Sequence, residues 1–468
     1  MINGCFTDYY KGLFPDKRIE KRLEKTLNDL LILGTAVVNK MACTHSNKIG
    51  IYRMLSNERF DHNDILEGAF RKCASSISTN HVLAIQDTTE FNYQGIKTKI
   101  SKSDIDIGPT SVNSVAGYFC HPMLIIDPIN TNVFGISSAI IYNRLWDKKD
   151  KKERKYAQLP IEQKESYRWI KASEETKERL PENVNITIIG DRENDIYEDF
   201  IRIPDSRTNL LIRSRCDRIL SNSSMKLYEK IDKEIVQTEM EIPITSTKNR
   251  KKRIAKIELK FCKVSLSCPS NIKSSIKHVE MYAVEARESN QTKPKDEDPI
   301  LWRLLTTHKI ETVEQAIECV DWYKKRWLIE ELFRVIKTKG FCIESSQLGS
   351  GFKLKKLLAL TLEGALHIMR LKLSLNQEET SADLIFSKQE QDLLLIMQKQ
   401  IEGETEKQKN PYPKLSLSWA AWSIARIAGW SGYKSHGPPG YITMKDGYDR
   451  FHAQLQVYNL ILKDVYKD

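Results

Sequence analysis

The chain has 468 residues, a formal net charge of +11 and a pI near 9.0, a balance that points to a polyanionic partner. A hydrophobic fraction of 40% excludes a disordered polymer, and with no apolar run of about eighteen residues a membrane-spanning helix is excluded too. Nine cysteines without a CxxC pair read as reduced thiols of a cytosolic protein, and Cys262, Cys268 and His278 do not complete a zinc spacing.

Roughly two to four packed units are expected at this length. The opening MINGCFTDYYKG lacks the basic and apolar stretches of a secretory leader, so the protein is expected to stay where it is made. Residues 15–41 read as a helix, charged first and apolar later, with Arg18 and Arg22 on one face. Residues 49–60, carrying Arg53, and 62–77 read as two more helices. For this basic helical unit, a merely solvated charged surface remains the competing reading.

From residue 81 the pattern changes. HVLAIQ (81–86) is a short apolar run ending at Asp87, and 114–127 and 132–144 have strand composition. Residues 146–155 form a charged loop and 160–178 a helix. VNITIIG (184–190) is a second apolar run, ending in Asp191-Arg192-Glu193, and 209–215 is a further strand. Alternating runs over 216–300, with a basic turn at 248–253 and a polar linker at 288–299, predict a β-rich insertion. Residues 300–307 return to strand character, 311–339 to helix. Everything after 352 reads as helical, broken by a Lys/Pro linker at 406–414.

Within DWYKKRWLIEELFRVIKTKG, Tyr323, Arg326, Glu330 and Lys337 fall within about 60° of one another on a helix of 3.6 residues per turn. Trp327 and Arg334 extend that face, while Leu328, Ile329, Leu332, Phe333, Val335 and Ile336 lie on the opposite, buried side. Two aspartates at strand ends and a glutamate on a helix packed against the sheet would gather three carboxylates. Such a cluster is neutralised by hard divalent cations; all-oxygen ligation suits Mg²⁺, and a pair of ions about 3.5–4 Å apart promotes phosphodiester chemistry. Arg326 and Lys337 could then neutralise phosphate oxygens and Tyr323 could donate to one. Each signal has a plainer alternative: a strand-end aspartate is usually a turn residue, and a mixed helix edge is usually solvated.

In these motifs the chain resembles the DDE transposases of bacterial insertion sequences that carry the Tyr-x2-Arg-x3-Glu-x6-Lys signature, the group that includes the transposon-five transposase. AIQDTTEF, GDREND, LLIRSR, LWRLLTT, YKKRWLIEELFRVIK, WAAWSIARIAGW and the GPPG-containing tail carry the likeness over nearly the whole chain. The resemblance implies an α/β fold, a ribonuclease-H-like catalytic domain over 73–372 with the β-rich insertion at about 216–300. It implies a helical end-binding unit over 1–72 and a helical C-terminal domain over 373–468 that dimerises.

By the same resemblance Asp87, Asp191 and Glu330 are the catalytic, metal-binding triad, holding two Mg²⁺ ions that Mn²⁺ can replace. Arg213, Tyr323, Arg326, Arg334 and Lys337 would grip the transposon-end backbone, and Arg18, Arg22 and Arg53 would recognise the end. Arg334 stands where the best-known relative has lysine, keeping charge but not geometry. Trp302 and Trp327 match positions that handle a base extruded during a hairpin step, with core packing as the alternative. Trp419, Trp422, Ile424 and Trp430 belong either to a dimer surface or to a core. The implied activity is cut-and-paste transposition of double-stranded DNA by a homodimer on paired ends, with no membrane and no nucleotide cofactor, in the cytoplasm at the nucleoid. A nuclease of the same fold without strand transfer, a silent DNA-binding derivative and an interaction scaffold stay open.

Overall fold

The computed structural model describes residues 5–96, 101, 103–111, 115–146, 153, 155–221, 223–244, 252–295, 297–337 and 339–465. Most of the charged loop at 146–155 and of the basic turn at 248–253 lies outside them. In chain order the elements are α1 (Cys5–Tyr10), α2 (Lys17–Ile32), α3 (Val38–Met41), α4 (His45–Leu55), α5 (His62–Ser76), β1 (His81–Gln86), β2 (Thr89–Asn92), β3 (Gly108–Pro109), β4 (Ala116–Ile126) and β5 (Val133–Tyr142). Then follow α6 (Tyr167–Arg179), β6 (Asn185–Gly190), α7 (Tyr197–Arg202), β7 (Thr208–Arg213), α8 (Leu227–Lys233), β8 (Thr238–Ile244), β9 (Arg253–Ser267), β10 (His278–Glu288) and β11 (Leu301–Thr306). The rest is helical: α9 (Val313–Lys324), α10 (Leu328–Ile336), α11 (Gly351–Leu373), α12 (Lys388–Ile401), α13 (Leu417–Ile427) and α14 (Tyr441–Val465).

One mixed sheet runs in the order β2-β4-β1-β6-β7-β11-β10-β9-β8, with β3 and β5 also paired to β4. The centre, β1-β6-β7, is parallel, and its strands read as continuous apolar runs because both faces are covered. The pleat sorts the side chains: Leu83, Ile85, Ile189 and Leu211 enter one core, Val82, Ala84, Ile188 and Leu210 the other. Ile170 and Ala172 of α6 and Phe200 of α7 close the second core. The first is closed by Ile329, Leu332, Val335 and Ile336 of α10 and by the apolar length of α11, and it continues into the helices at both ends of the chain.

The alternating strands of the insertion do not form a separate layer. Antiparallel β11 joins β7 to β10, so β10, β9 and β8 prolong the central sheet. Among the C-terminal residues read either as core or as a dimer surface, Trp419, Trp422 and Ile424 are buried within the chain itself, and Trp430 packs partly buried against them.

Several helices are shorter than the sequence pattern suggests. The helix read over 15–41 stops at Ile32, because Gly34 turns left-handed at φ 62°; α3 is a separate turn. The helix expected over 49–60 sits earlier, at His45–Leu55, where the Thr44 hydroxyl accepts from the Asn47 N–H at 3.2 Å. The helix expected over 160–178 begins at Tyr167, preceded by a 3-10 turn at Ile161–Gln163. The long helix over 311–339 is divided: α9 starts at a Thr312–Gln315 capping box, a 3-10 turn spans Lys325–Trp327, and α10 ends at Ile336. Phe341 N–H closes onto the Val335 carbonyl at 2.7 Å, so Lys337 leaves the helix with extended backbone at ψ −153°.

Lys356 ties the segment between α4 and α5 to α11. Its ammonium lies 3.5 Å from the Phe60 ring centroid and donates to the Asn57 carbonyl. A cation placed over an aromatic face tolerates burial that it would otherwise resist, although burial still lowers its pKa to about 8.

Candidate active site

The register of β1 against β6, with Ile85 opposite Ile189, carries one step beyond the strands to Asp87 and Asp191. Parallel neighbours end at the same edge of a sheet, so both carboxylates leave it together. In each case a backbone N–H within two residues fixes the acid: Thr88 N–H donates to Asp87 Oδ1 at 2.7 Å, and Glu193 N–H to Asp191 Oδ1 at 2.8 Å. Glu330 arrives from the first turn of α10.

Arg326, on the 3-10 turn before α10, joins two of the three. Its guanidinium reaches Asp87 Oδ2 at 3.2 Å and Glu330 Oε1 at 2.8 Å. The Asp87 side chain is 20% exposed, and burial, then the negative charge of Asp191, push its pKa up to about 7; the Thr88 N–H and Arg326 pull the other way. Burial first and a like charge second thus disfavour the ionised carboxylate, and added positive charge at this spot would favour it.

This donor set is all oxygen and anionic, and therefore fits a hard divalent cation such as Mg²⁺ or Mn²⁺ better than a thiolate- or imidazole-seeking metal. Among the described residues no three His, Cys, Asp or Glu side chains are gathered tightly enough to enclose an ion. Arg326 instead neutralises Asp87 and Glu330 directly.

The proposed helical stripe is brought together only in part. Tyr323 is buried, its ring 5.5 Å from that of Trp302. Arg213, at the end of β7, lies beside it and donates to the Leu301 carbonyl at 2.9 Å. Burial raises the Tyr323 pKa while Arg326 and Arg213 oppose the shift, and burial lowers that of Arg213. Lys337 departs from the stripe because α10 ends before it. Its ammonium lies 5.3 Å from the Phe91 ring centroid of β2, and burial lowers its pKa against the attraction of Glu344 and Glu90.

Arg213, Trp302, Tyr323, Arg326, Trp327 and Arg334 line one cavity of about 1100 Å³, together with Arg192, Arg253 and an apolar wall of Ile242, Pro243 and Ile244 from β8. Trp302 comes from β11, and the insertion adds β8 and Arg253 of β9, so the cavity forms where these strands prolong the sheet; it shares Arg326 with the carboxylates, which do not line it. Trp327 is 52% exposed; its indole N–H donates to Glu331 at 3.3 Å, and Glu331 also pairs with Arg334 at 3.0 Å. Arg192 and Arg253 escape sequence reasoning, since DRE and a basic turn are common surface patterns.

The N-terminal arginines stand apart from this site. Arg18 is 91% exposed and folds back on its N-cap, Asp16, at 2.8 Å. Arg53 is exposed in the last turn of α4. Arg22 turns inward instead, donating to Asn47 Oδ1 at 2.9 Å, and its guanidinium fills the space over Gly50. Asn47 in turn donates to Asp29 at 2.7 Å, so Arg22 helps join α2 to α4.

Among the described residues no helix is long and apolar enough to cross a membrane. Residues 170–362 match a family model described as a transposase DDE domain. The matched segment holds Asp191 and Glu330 and begins after Asp87. That match, on a mixed sheet with helices on both faces, supports a DDE transposase family for this chain and a transposase role in general.

Proposed function

We infer that the protein is a cut-and-paste DNA transposase of the Tyr-Arg-Glu-Lys group, with Asp87, Asp191 and Glu330 as its metal-holding carboxylates. The observation that supports this reading is that Arg326 bridges Asp87 and Glu330 while the charge of Asp191 acts on Asp87, in a chain whose central segment matches the transposase DDE domain. DDE transposases generally use divalent metals; Mg²⁺, replaceable by Mn²⁺ and present as a pair, would activate the attacking oxygen and stabilise the leaving one.

The chain's own residues do the rest. The helices of 1–72 hold the transposon end through Arg18 and Arg53, with Arg22 supporting the α2–α4 face. Arg326, Arg334 and Arg213 neutralise phosphates along the strand entering the cavity, and Lys337 does so from its separate place by Phe91. After one strand is hydrolysed, its freed 3′-hydroxyl attacks the opposite strand. One phosphodiester forms as another breaks, leaving a hairpin that water reopens. The 3′ end then joins target DNA by the same exchange, which needs no nucleotide cofactor. Two copies pair two ends through residues 373–468, and the protein works at the bacterial nucleoid.

Incubating precut ends, target DNA and Mg²⁺ with the protein tests this reading: joined products are expected. Cutting of uncut ends without joining would favour a nuclease on the same fold, and binding with neither would favour a silent derivative. In the proposed hairpin step Trp302 stacks on the extruded base, offsetting an unstacking cost of a few kcal/mol. Trp302→Ala should therefore slow hairpin formation about tenfold or more while slowing the first nick far less. Equal slowing of both would reassign Trp302 to packing against Tyr323.

A further inference from the structure

Arg168, near the start of α6, precedes the segment matched by the family model and makes no contact with the carboxylates themselves. Its side chain is 11% exposed, and three of its nitrogens are engaged. Nε donates to Thr88 Oγ1, Nη1 to the Glu165 carbonyl and Nη2 to Glu193 Oε2, each at 2.8 Å. Thr88 and Glu193 are the residues whose backbone N–H groups orient Asp87 and Asp191. One planar guanidinium thus ties the loop after β1 to the loop after β6.

A directed chain of hydrogen bonds stands behind it. Gln86 Oε1 can only accept, which leaves Nδ1 of a neutral His121 to accept from the Thr88 hydroxyl at 2.8 Å. His121 Nε2 then carries the ring proton and donates to Gln86 Oε1 at 3.0 Å. The Gln86 amide donates to Ser173 Oγ at 3.3 Å, and that hydroxyl donates to the Trp169 carbonyl at 2.9 Å. Burial keeps His121 neutral, in keeping with one donor and one acceptor nitrogen. The residues on both sides of Asp87, Gln86 and Thr88, are therefore pinned to α6. A buried network with every member partnered is rigid. An isolated bond to the exposed Glu193 carboxylate would contribute little by itself; its significance is that the same fork also holds Thr88.

We propose that Arg168 is a positioning residue that sets the spacing of Asp87 and Asp191, and through it the affinity of the pair for divalent cations. This rests on the reading of Asp87 and Asp191 as ion-holding groups. The test measures Mn²⁺ binding to the full-length chain without DNA, by electron paramagnetic resonance of the free ion, alongside thermal unfolding. Arg168→Ala should weaken Mn²⁺ binding about 10–100-fold with a cooperative unfolding transition retained. Arg168→Lys, which cannot span both partners, should fall between it and wild type. Glu193→Gln, whose amide oxygen still accepts, should weaken binding less. A folded Arg168→Ala variant with wild-type Mn²⁺ affinity would overturn the proposal. Should that variant not fold, wild-type affinity in both Arg168→Lys and Glu193→Gln would overturn it. Mn²⁺ binding that survives Asp87→Ala would overturn the site reading instead, and the positioning role with it.

Discussion

Asp87→Ala, Asp191→Ala and Glu330→Ala are each expected to reduce strand cleavage by at least about 1000-fold, because groups that act as a unit on one reacting centre fail together. Binding of end DNA should stay within about threefold of wild type, since removing a negative charge beside a polyanion does not weaken its capture. Cleavage of labelled ends in Mg²⁺ and mobility shift in EDTA measure the two quantities separately. Loss of Glu330 leaves Arg326 paired with Asp87 alone, and loss of Asp87 leaves it with Glu330; neither strands the arginine, so folding should persist. Robust cleavage by any one of the three variants would remove that residue from the metal site.

A second large effect follows from the charge state of Asp87. Its folded pKa is about 7 against 3.8 for the free side chain, raised by burial and by Asp191. Between those values the folded state binds more protons than the unfolded, so its stability falls as pH rises from about 4 to 7 and stays reduced above that. Asn cannot ionise. Asp87→Asn should accordingly match wild type below about pH 4 and become more stable by on the order of 3–4 kcal/mol above pH 7. Urea denaturation at a series of pH values checks this, and a difference independent of pH would sink it. Added Mn²⁺ at pH 8 should narrow the gap by stabilising wild type alone. A site that is destabilising until its ligand binds is a familiar exchange of stability for activity.

The parts of the site that could be read in advance are those set by neighbours in the chain. HVLAIQ and VNITIIG are apolar runs followed at once by an acid, so strand, strand end and carboxylate come as a single local pattern. The alternation in 253–267 and 278–288 likewise announces strands, because each residue's face depends only on its position along the pleat. Helix extents were less legible. A helical wheel places Lys337 with Glu330 on the assumption of an unbroken helix, whereas the 3-10 turn at Lys325–Trp327 and the closure of Phe341 onto Val335 remove that assumption. Gly34 is a stop signal that an amphipathic period running past it obscures.

Local pattern thus supplied the acids, the basic and aromatic side chains near them and the strands beneath, because hydrophobic period and residue chemistry are properties of short stretches. Tertiary packing alone decided that β1 and β6 are parallel neighbours, that β11 stitches the insertion onto the sheet to make the cavity around Trp302, and that Arg22 faces a neighbouring helix. It also decided the role of Arg168, whose partners Thr88 and Glu193 lie 80 and 25 residues away in the chain. No periodicity encodes such contacts, because they arise only when α6 settles against the sheet and the burial of apolar faces leaves one guanidinium between two loops.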